Sequence, residues 1–312
     1  MGHARPLSML LFIEQFLNGL QLGVMLFLMS AGLTLVFGIM RVINLAHGSL
    51  YMVGAYVAAT VTHLTGSFLL GLLAALPAAA IVGMLMEVVV LRLLYDRDHL
   101  DQVLATFGLI FFFNELTRII WGRQPLFMDV PAWLSGSVEI LPGVPYPTYR
   151  LAIIAVGGIV AVFLYLLFKK TRLGLQIRAG AVNREMVSAL GVNIRLLYTL
   201  VFGLGALLAG LAGVMAGPIF AVESGMGESI LILTFVVIVI GGIGSTKGAM
   251  VAALLVGMVD TLGRIFLPDL LRLFFSPAVA DGAGASLASM SVYILMSAIL
   301  IWRPQGLFPR QG

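Results

Sequence analysis

The chain has 312 residues, of which 61% are hydrophobic and only 10% charged, and its mean hydropathy of +1.09 excludes a soluble domain. It reads as an all-α polytopic membrane protein with a single transmembrane domain over residues 1–312, and a net charge of only +4 implies no nucleic-acid surface. Cysteine is absent, which excludes a disulfide framework and a thiolate metal site.

The amino-terminal stretch has an Arg and then an apolar run, but Glu14, Gln15 and Asn18 interrupt it and no small-residue cleavage site follows, so it is expected to be retained. Glu14, Asn18 and Gln21 fall at four- and three-residue steps, a polar stripe that should face protein or water rather than lipid. Gly19 and Gly23 form a GxxxG pair, a mark of close helix packing. With roughly 17 to 25 apolar residues as the unit of a span, about nine candidates follow: 16–40, 49–62, 68–91, 103–121, 151–168, 197–220, 230–243, 249–266 and 287–302. The second and seventh are short and bordered by Gly, as broken or re-entrant segments are, so a count of about eight is equally defensible.

Between the first two spans lies INLAHGS, residues 43–49, with Tyr51 close behind. Irregular backbone at membrane depth is tolerated only where protein or water satisfies it, which makes Asn44, His47, Ser49 and Tyr51 candidates for the wall of a pathway. His47 has no second His, Cys or carboxylate at ligand spacing nearby, so a structural histidine at a helix start is expected rather than a metal ligand or proton relay. Glu87 with Arg92, and Glu115 with Arg118, have the spacing of structural ion pairs. Residues 122–149 carry Pro125, Pro131, Pro142, Pro145 and Pro147 and read as a structured external loop, with Trp133 as an interfacial anchor.

The loop 169–196 contains GLQIRAGAVNREMVSALG, residues 174–191, the longest polar, helix-patterned stretch between the spans. From Ala179 the apolar positions Val182, Met186, Ala189 and Leu190 recur at three- and four-residue steps, which predicts an amphipathic helix that Gly191 ends. Pattern alone suits an interfacial helix on headgroups as well as a helix that docks on a protein. Next, Gly205, Ala209, Gly213 and Gly217 form a small-residue stripe that should pack closely within the chain. Gly241, Gly242, Gly244, Ser245, Thr246, Lys247 and Gly248 then interrupt an apolar run much as INLAHGS does, which suggests a weak internal repeat and adds Gly242, Gly244 and Ser245 to the candidate pathway. Thr246 stands where a phosphate-binding loop needs Gly, so a nucleotide site is not expected there. Placing 169–196 in the cytoplasm puts Arg41, Arg92, Arg97, Lys169, Lys170, Arg172, Arg178, Arg184, Arg195, Lys247, Arg303 and Arg310 on that side. Arg5, Arg118, Arg123, Arg150, Arg264 and Arg272 fall on the other, a bias of about two to one for this orientation.

Five blocks in order, GLTLVFGIMRVINLAHGSLYMVGAY, LATFGLIFFFNELTRIIWG, GLQIRAGAVNREMVSALGVNIR, LGALLAGLAGVMAGP and VVIVIGGIGSTKGAMVAALLVG, resemble the permease subunits of ABC importers for branched-chain amino acids, in particular the H-type of the two permeases. The resemblance implies a multi-pass bacterial inner-membrane protein that is not an enzyme and has no cofactor of its own. Its implied partners are a second permease subunit, two cytoplasmic ATPase subunits that bind the ATP, and a periplasmic substrate-binding protein. It also implies that 169–196 is a coupling-helix loop. The general ABC motif has Glu-Ala-Ala with a Gly six residues after the Glu; Glu185 and Gly191 keep that spacing, while Met186 and Val187 replace the alanines. The expected coupling residues are Gly174, Arg178, Asn183, Arg184, Glu185, Met186, Leu190 and Gly191. The family's Pro after the Arg that follows the third helix is missing, since Leu93 and Leu94 follow Arg92. Similar permeases serve urea, short amides or aromatic acids, so the substrate stays open. A secondary transporter is the weaker alternative, because the glutamates sit mostly near helix ends rather than at mid-membrane.

Overall fold

A computed structural model describes residues 4–40 and 42–308, with side chains from residue 9 onward. Arg41, Arg310 and the side chain of Arg5, all used in the orientation above, lie outside the described residues. The elements are α1 (Ala4–Met40), α2 (His47–Thr65), α3 (Phe68–Val89), a 3-10 turn (Leu91–Leu94), α4 (His99–Trp121), a second 3-10 turn (Ala132–Leu134), β1 (Ser137–Leu141), β2 (Val144–Pro147), α5 (Thr148–Lys170), α6 (Arg172–Val182), α7 (Arg184–Ala189), α8 (Ile194–Ala216), α9 (Met226–Gly241), α10 (Thr246–Leu271) and α11 (Pro277–Trp302). Each predicted span appears as a helix. Seven of them (α1, α3, α4, α5, α8, α10 and α11) are long and apolar enough to cross a membrane, while α9 is an apolar helix of only 16 residues.

Burial sorts the helices into an inner and an outer set. The most apolar window of α1 is 83% buried and that of α8 is 78%, against 22% for α4, α5 and α11. Peripheral helices such as α4 and α5 turn Phe111, Phe112, Ile159 and Val162 outward, an apolar surface that suits a membrane rather than water. The interior pair packs on α2, α3 and α10 through small residues. A Cβ on Gly213 would lie 2.0 Å from the Tyr51 carbonyl oxygen of α2, and one on Gly257 of α10 would lie 2.4 Å from the Gly23 nitrogen of α1. At those points only glycine lets the backbones meet. Both the 19/23 pair and the 205–217 stripe are thus spent on contacts within the chain.

One end of the bundle carries the β1–β2 hairpin, an antiparallel pair. Asn18 on the polar stripe of α1 ties it down: Tyr146 donates to its Oδ1 at 3.1 Å, and Arg150 donates to the same atom. Leu126 and Val222 exchange two backbone hydrogen bonds of 2.9 Å, joining the long loop to the segment before α9.

At the opposite, basic end, Glu87 on α3 is fully buried and is bonded from three directions. Arg92 reaches it from Nε at 3.2 Å and Nη2 at 2.9 Å, Tyr95 from its hydroxyl at 2.5 Å, and Thr199 of α8 from Oγ1 at 2.8 Å. The hydrogen bond to Glu87 raises the Arg92 pKa and keeps the guanidinium charged. Burial, and then the bond to Glu87, push the Tyr95 phenol well above its usual range. The 3-10 turn that delivers Arg92 uses the Leu93 N–H, which donates to Val90 at 3.1 Å; a proline at 93 would remove that donor.

Two outcomes follow. Gly213→Leu should destabilise the detergent-solubilised protein by about 3 kcal/mol, read as a large drop in its thermal aggregation temperature. Arg92→Ala should cost about 2 kcal/mol by leaving the buried Glu87 carboxylate without its cation, with Glu87→Gln milder in the same assay because a neutral amide keeps part of the network.

Candidate functional site

The predicted coupling helix is two helices rather than one. Asn183 takes extended angles (φ −147°, ψ 98°) and its Oδ1 accepts the Met186 N–H at 2.9 Å, so it ends α6 and caps α7. An asparagine competes with the helix for such bonds, which the apolar periodicity across 179–190 does not register. Gly191 stops α7 as expected: its φ is +86°, and the next N–H, from Val192, returns to the Val187 carbonyl at 3.3 Å.

In α7 it is Val187 that is buried, whereas Met186 is 59% exposed, Leu190 just beyond it 77%, and Val182 at the end of α6 71%. Beside it lies a cavity of about 380 Å³, lined by Met40, Tyr95, Gln102, Asn183 and Glu185 among others. Glu185 occupies the first helical turn, where a carboxylate suits the helix dipole. Arg184 lies 3.6 Å from Asp96 in an exposed pair that water screens. Arg178 is exposed on α6. Gly174 faces inward, where a Cβ would sit 2.1 Å from the Leu167 carbonyl; it folds α6 back onto the end of α5 and is not part of the outward surface.

The residues Asn44, His47, Ser49 and Tyr51 are all buried. The Asn44 side chain accepts the Ala46 N–H at 3.1 Å, and Gln102 of α4 accepts the Ile43 N–H at 3.3 Å, which supplies the broken backbone with partners. Neither the Asn44 amide nitrogen nor either His47 ring nitrogen has a hydrogen bond of normal geometry among the described residues. His47 Nε2 is 3.1 Å from where a Cβ of Gly32 would be, and Gly32 is about 12 Å along α1 from Met40. The helix α2 therefore begins well inside the bundle. There it meets the start of α9: a Cβ on Gly48 would lie 2.3 Å from the Gly227 carbonyl oxygen. Ser49, Asn114 and Glu228 line the seam between these two helix starts, which leaves no room for a water molecule, and Asn114 donates to Glu228 at 2.6 Å.

Gly242, Gly244 and Ser245 lie elsewhere. Gly242 is covered by the chain's last described residues, where Leu307 and Phe308 donate to the carbonyls of Ile240 and Gly241 at 2.8 and 3.1 Å. Gly244 and Ser245 line a separate cavity of about 360 Å³ at the basic end, with Thr34 and Arg178. The predicted pathway residues thus fall into two places. The seam also brings in Gly227, Glu228 and Asn114, which the sequence reading did not single out; the available signal was Gly225 and Gly227 beside Glu228 at the head of a helix too short to span.

Comparison with known proteins places this architecture. Residues 15–300 match the family model for the branched-chain amino acid transport system / permease component. The chain is 30% identical over 313 residues to the high-affinity branched-chain amino acid transport system permease protein BraD of Pseudomonas aeruginosa, covering 96% of both chains. It is 30% identical over 271 residues to the corresponding protein LivH of Salmonella typhimurium, covering 83% of this chain and 88% of that one. A more distant relative, the ribose import permease protein RbsC of Escherichia coli, is 26% identical over 80% of this chain and 77% of that one. No solved structure matches significantly. Broken helices packed inside a sheath of lipid-facing spans and a match over nearly the whole chain lead to one conclusion: the chain belongs to the family of permease components of branched-chain amino acid transport systems.

Proposed function

We propose that this chain is the H-type permease of an ATP-driven importer for leucine, isoleucine and valine in the bacterial inner membrane, and that α7 couples it to an ATPase. The observation that carries the reading is the outward apolar set Val182, Met186 and Leu190, held on one buried valine and stopped by Gly191 at the basic end of the bundle. Exposed apolar side chains there, Met186 on a six-residue helix with Val182 and Leu190 just beyond its two ends, suit a protein groove, with Arg178, Asn183, Arg184 and Glu185 as its polar rim. The names of the relatives support the cargo, and the ribose permease among them supports a scaffold that passes what its binding protein delivers.

In this reading the chain does no bond chemistry, and ATP is bound by two partner subunits. A second permease completes the pathway, and a periplasmic binding protein delivers the solute. Nucleotide binds the closed ATPase pair more tightly, and that difference is the free energy that α7 transmits. The pathway wall comprises Asn44, His47, Ser49 and Tyr51 at the start of α2, with Gly244 and Ser245 nearer the cytoplasm. Gly48 and Gly227 meet backbone to backbone without interlocking side chains, a contact that helices can part at low cost. Urea, short amides or aromatic acids are the alternative cargoes within the same family.

The test is a pull-down of the tagged chain from native membranes together with ATP-driven leucine uptake in proteoliposomes. Met186→Asp combined with Leu190→Asp should reduce ATPase recovery by more than about tenfold while the second permease still co-purifies. Glu185→Lys should uncouple uptake from ATP hydrolysis. Full uptake in both variants would refute α7 as the coupling element.

A further inference from the structure

The 360 Å³ cavity between α1, the end of α5, α6 and the start of α10 has a composition that its role as a pathway wall does not explain. Thr34 lines it from α1. This residue is only 1% exposed, and its hydroxyl has no hydrogen-bond partner. Thr60, Thr106 and Thr234 bond back to the carbonyl four residues earlier, the usual refuge of a helical threonine. Thr34 does not.

The opposite wall is the beginning of the 26-residue helix α10. Its cap, the Ser245 hydroxyl, takes the Gly248 N–H at 3.1 Å. The N–H groups of Thr246 and Lys247 are left without an acceptor inside the helix. Arg178 and Lys247 complete the cationic lining, and neither forms an ion pair among the described residues. The lining includes no carboxylate, so nothing there would hold an ammonium group, whereas Leu35 and Phe168 give it an apolar flank.

We propose that this cavity binds the oxyanion of an amphipathic ligand, a carboxylate or phosphate held by the start of α10, Lys247, Arg178 and the Thr34 hydroxyl, with its apolar body along Leu35 and Phe168. The same chemistry has two sources. One is the carboxylate of the transported solute on its way out, which rests on the permease reading above; the other is the phosphate of an anionic phospholipid in the adjacent leaflet.

The experiment uses the full chain, with the subunits that co-purify, in nanodiscs of phosphatidylcholine with and without phosphatidylglycerol. Native mass spectrometry measures retained phosphatidylglycerol, and thermal shift measures binding of isovalerate, a carboxylate, against isoamylamine, the matching cation. A phospholipid source is shown by phosphatidylglycerol retention that falls about fivefold in Lys247→Ala, falls likewise in Thr34→Val, and returns in Lys247→Arg and Thr34→Ser. A solute source is shown by stabilisation with isovalerate but not isoamylamine, lost in the same variants. Either result supports the oxyanion site. Equal retention of both lipids together with equal response to both small molecules overturns it. ATP-driven leucine uptake is measured separately on the same preparation. Normal uptake without oxyanion binding sinks the site and leaves the permease reading intact, whereas binding without uptake does the reverse.

Discussion

Hydrocarbon offers no water to a broken helix, so each interruption in this chain must find its hydrogen bonds within the protein. The rest of the structure follows from that constraint. The break before α2 survives because Gln102 and the Asn44 side chain supply the missing bonds. The segment before α9 survives because Val222 pairs with Leu126, and the α9–α10 turn survives because the C-terminal segment fills the carbonyls of Ile240 and Gly241. Such satisfaction requires burial. The starts of α2 and α9 therefore lie inside the bundle beside α1 and α8, and α4, α5 and α11 form the sheath against lipid.

Close approach is the second requirement, because packing in a membrane rests on contact rather than on water exclusion. Helix α1 uses Gly19 and Gly23 against α10 and Gly32 against α8, while α8 uses Gly213 against α2. A single backbone scaffold thus links the amino-terminal helix to both halves of the chain. The Glu87 network adds a polar pin at the basic end, fixing the turn before α4 to α8 close to α7.

Much of this was legible in the sequence. Apolar run length located the spans, the small-residue stripes located their contacts, and Gly191 marked the end of α7, because each is a local property with a direct structural consequence. The failures share a cause. A period of three to four residues carried the predicted helix through Asn183, where a side-chain hydrogen bond breaks it. Local similarity between INLAHGS and the 241–248 stretch does not reveal that Gly48 meets Gly227, a pairing set by tertiary packing. Nothing local to Asn114 or Glu228 marks them as neighbours across 114 residues.

The seat of the segment beyond α11 bears on how the protein is made. The carbonyls of Ile240 and Gly241 receive their bonds from Leu307 and Phe308, which follow two further long helices, α10 and α11, in the chain. During synthesis α9 can enter the bilayer, but its end stays open until both of those helices have followed it and the segment beyond them has returned. A cut between Trp302 and Leu307 would leave two bare carbonyls for quality-control proteases to find.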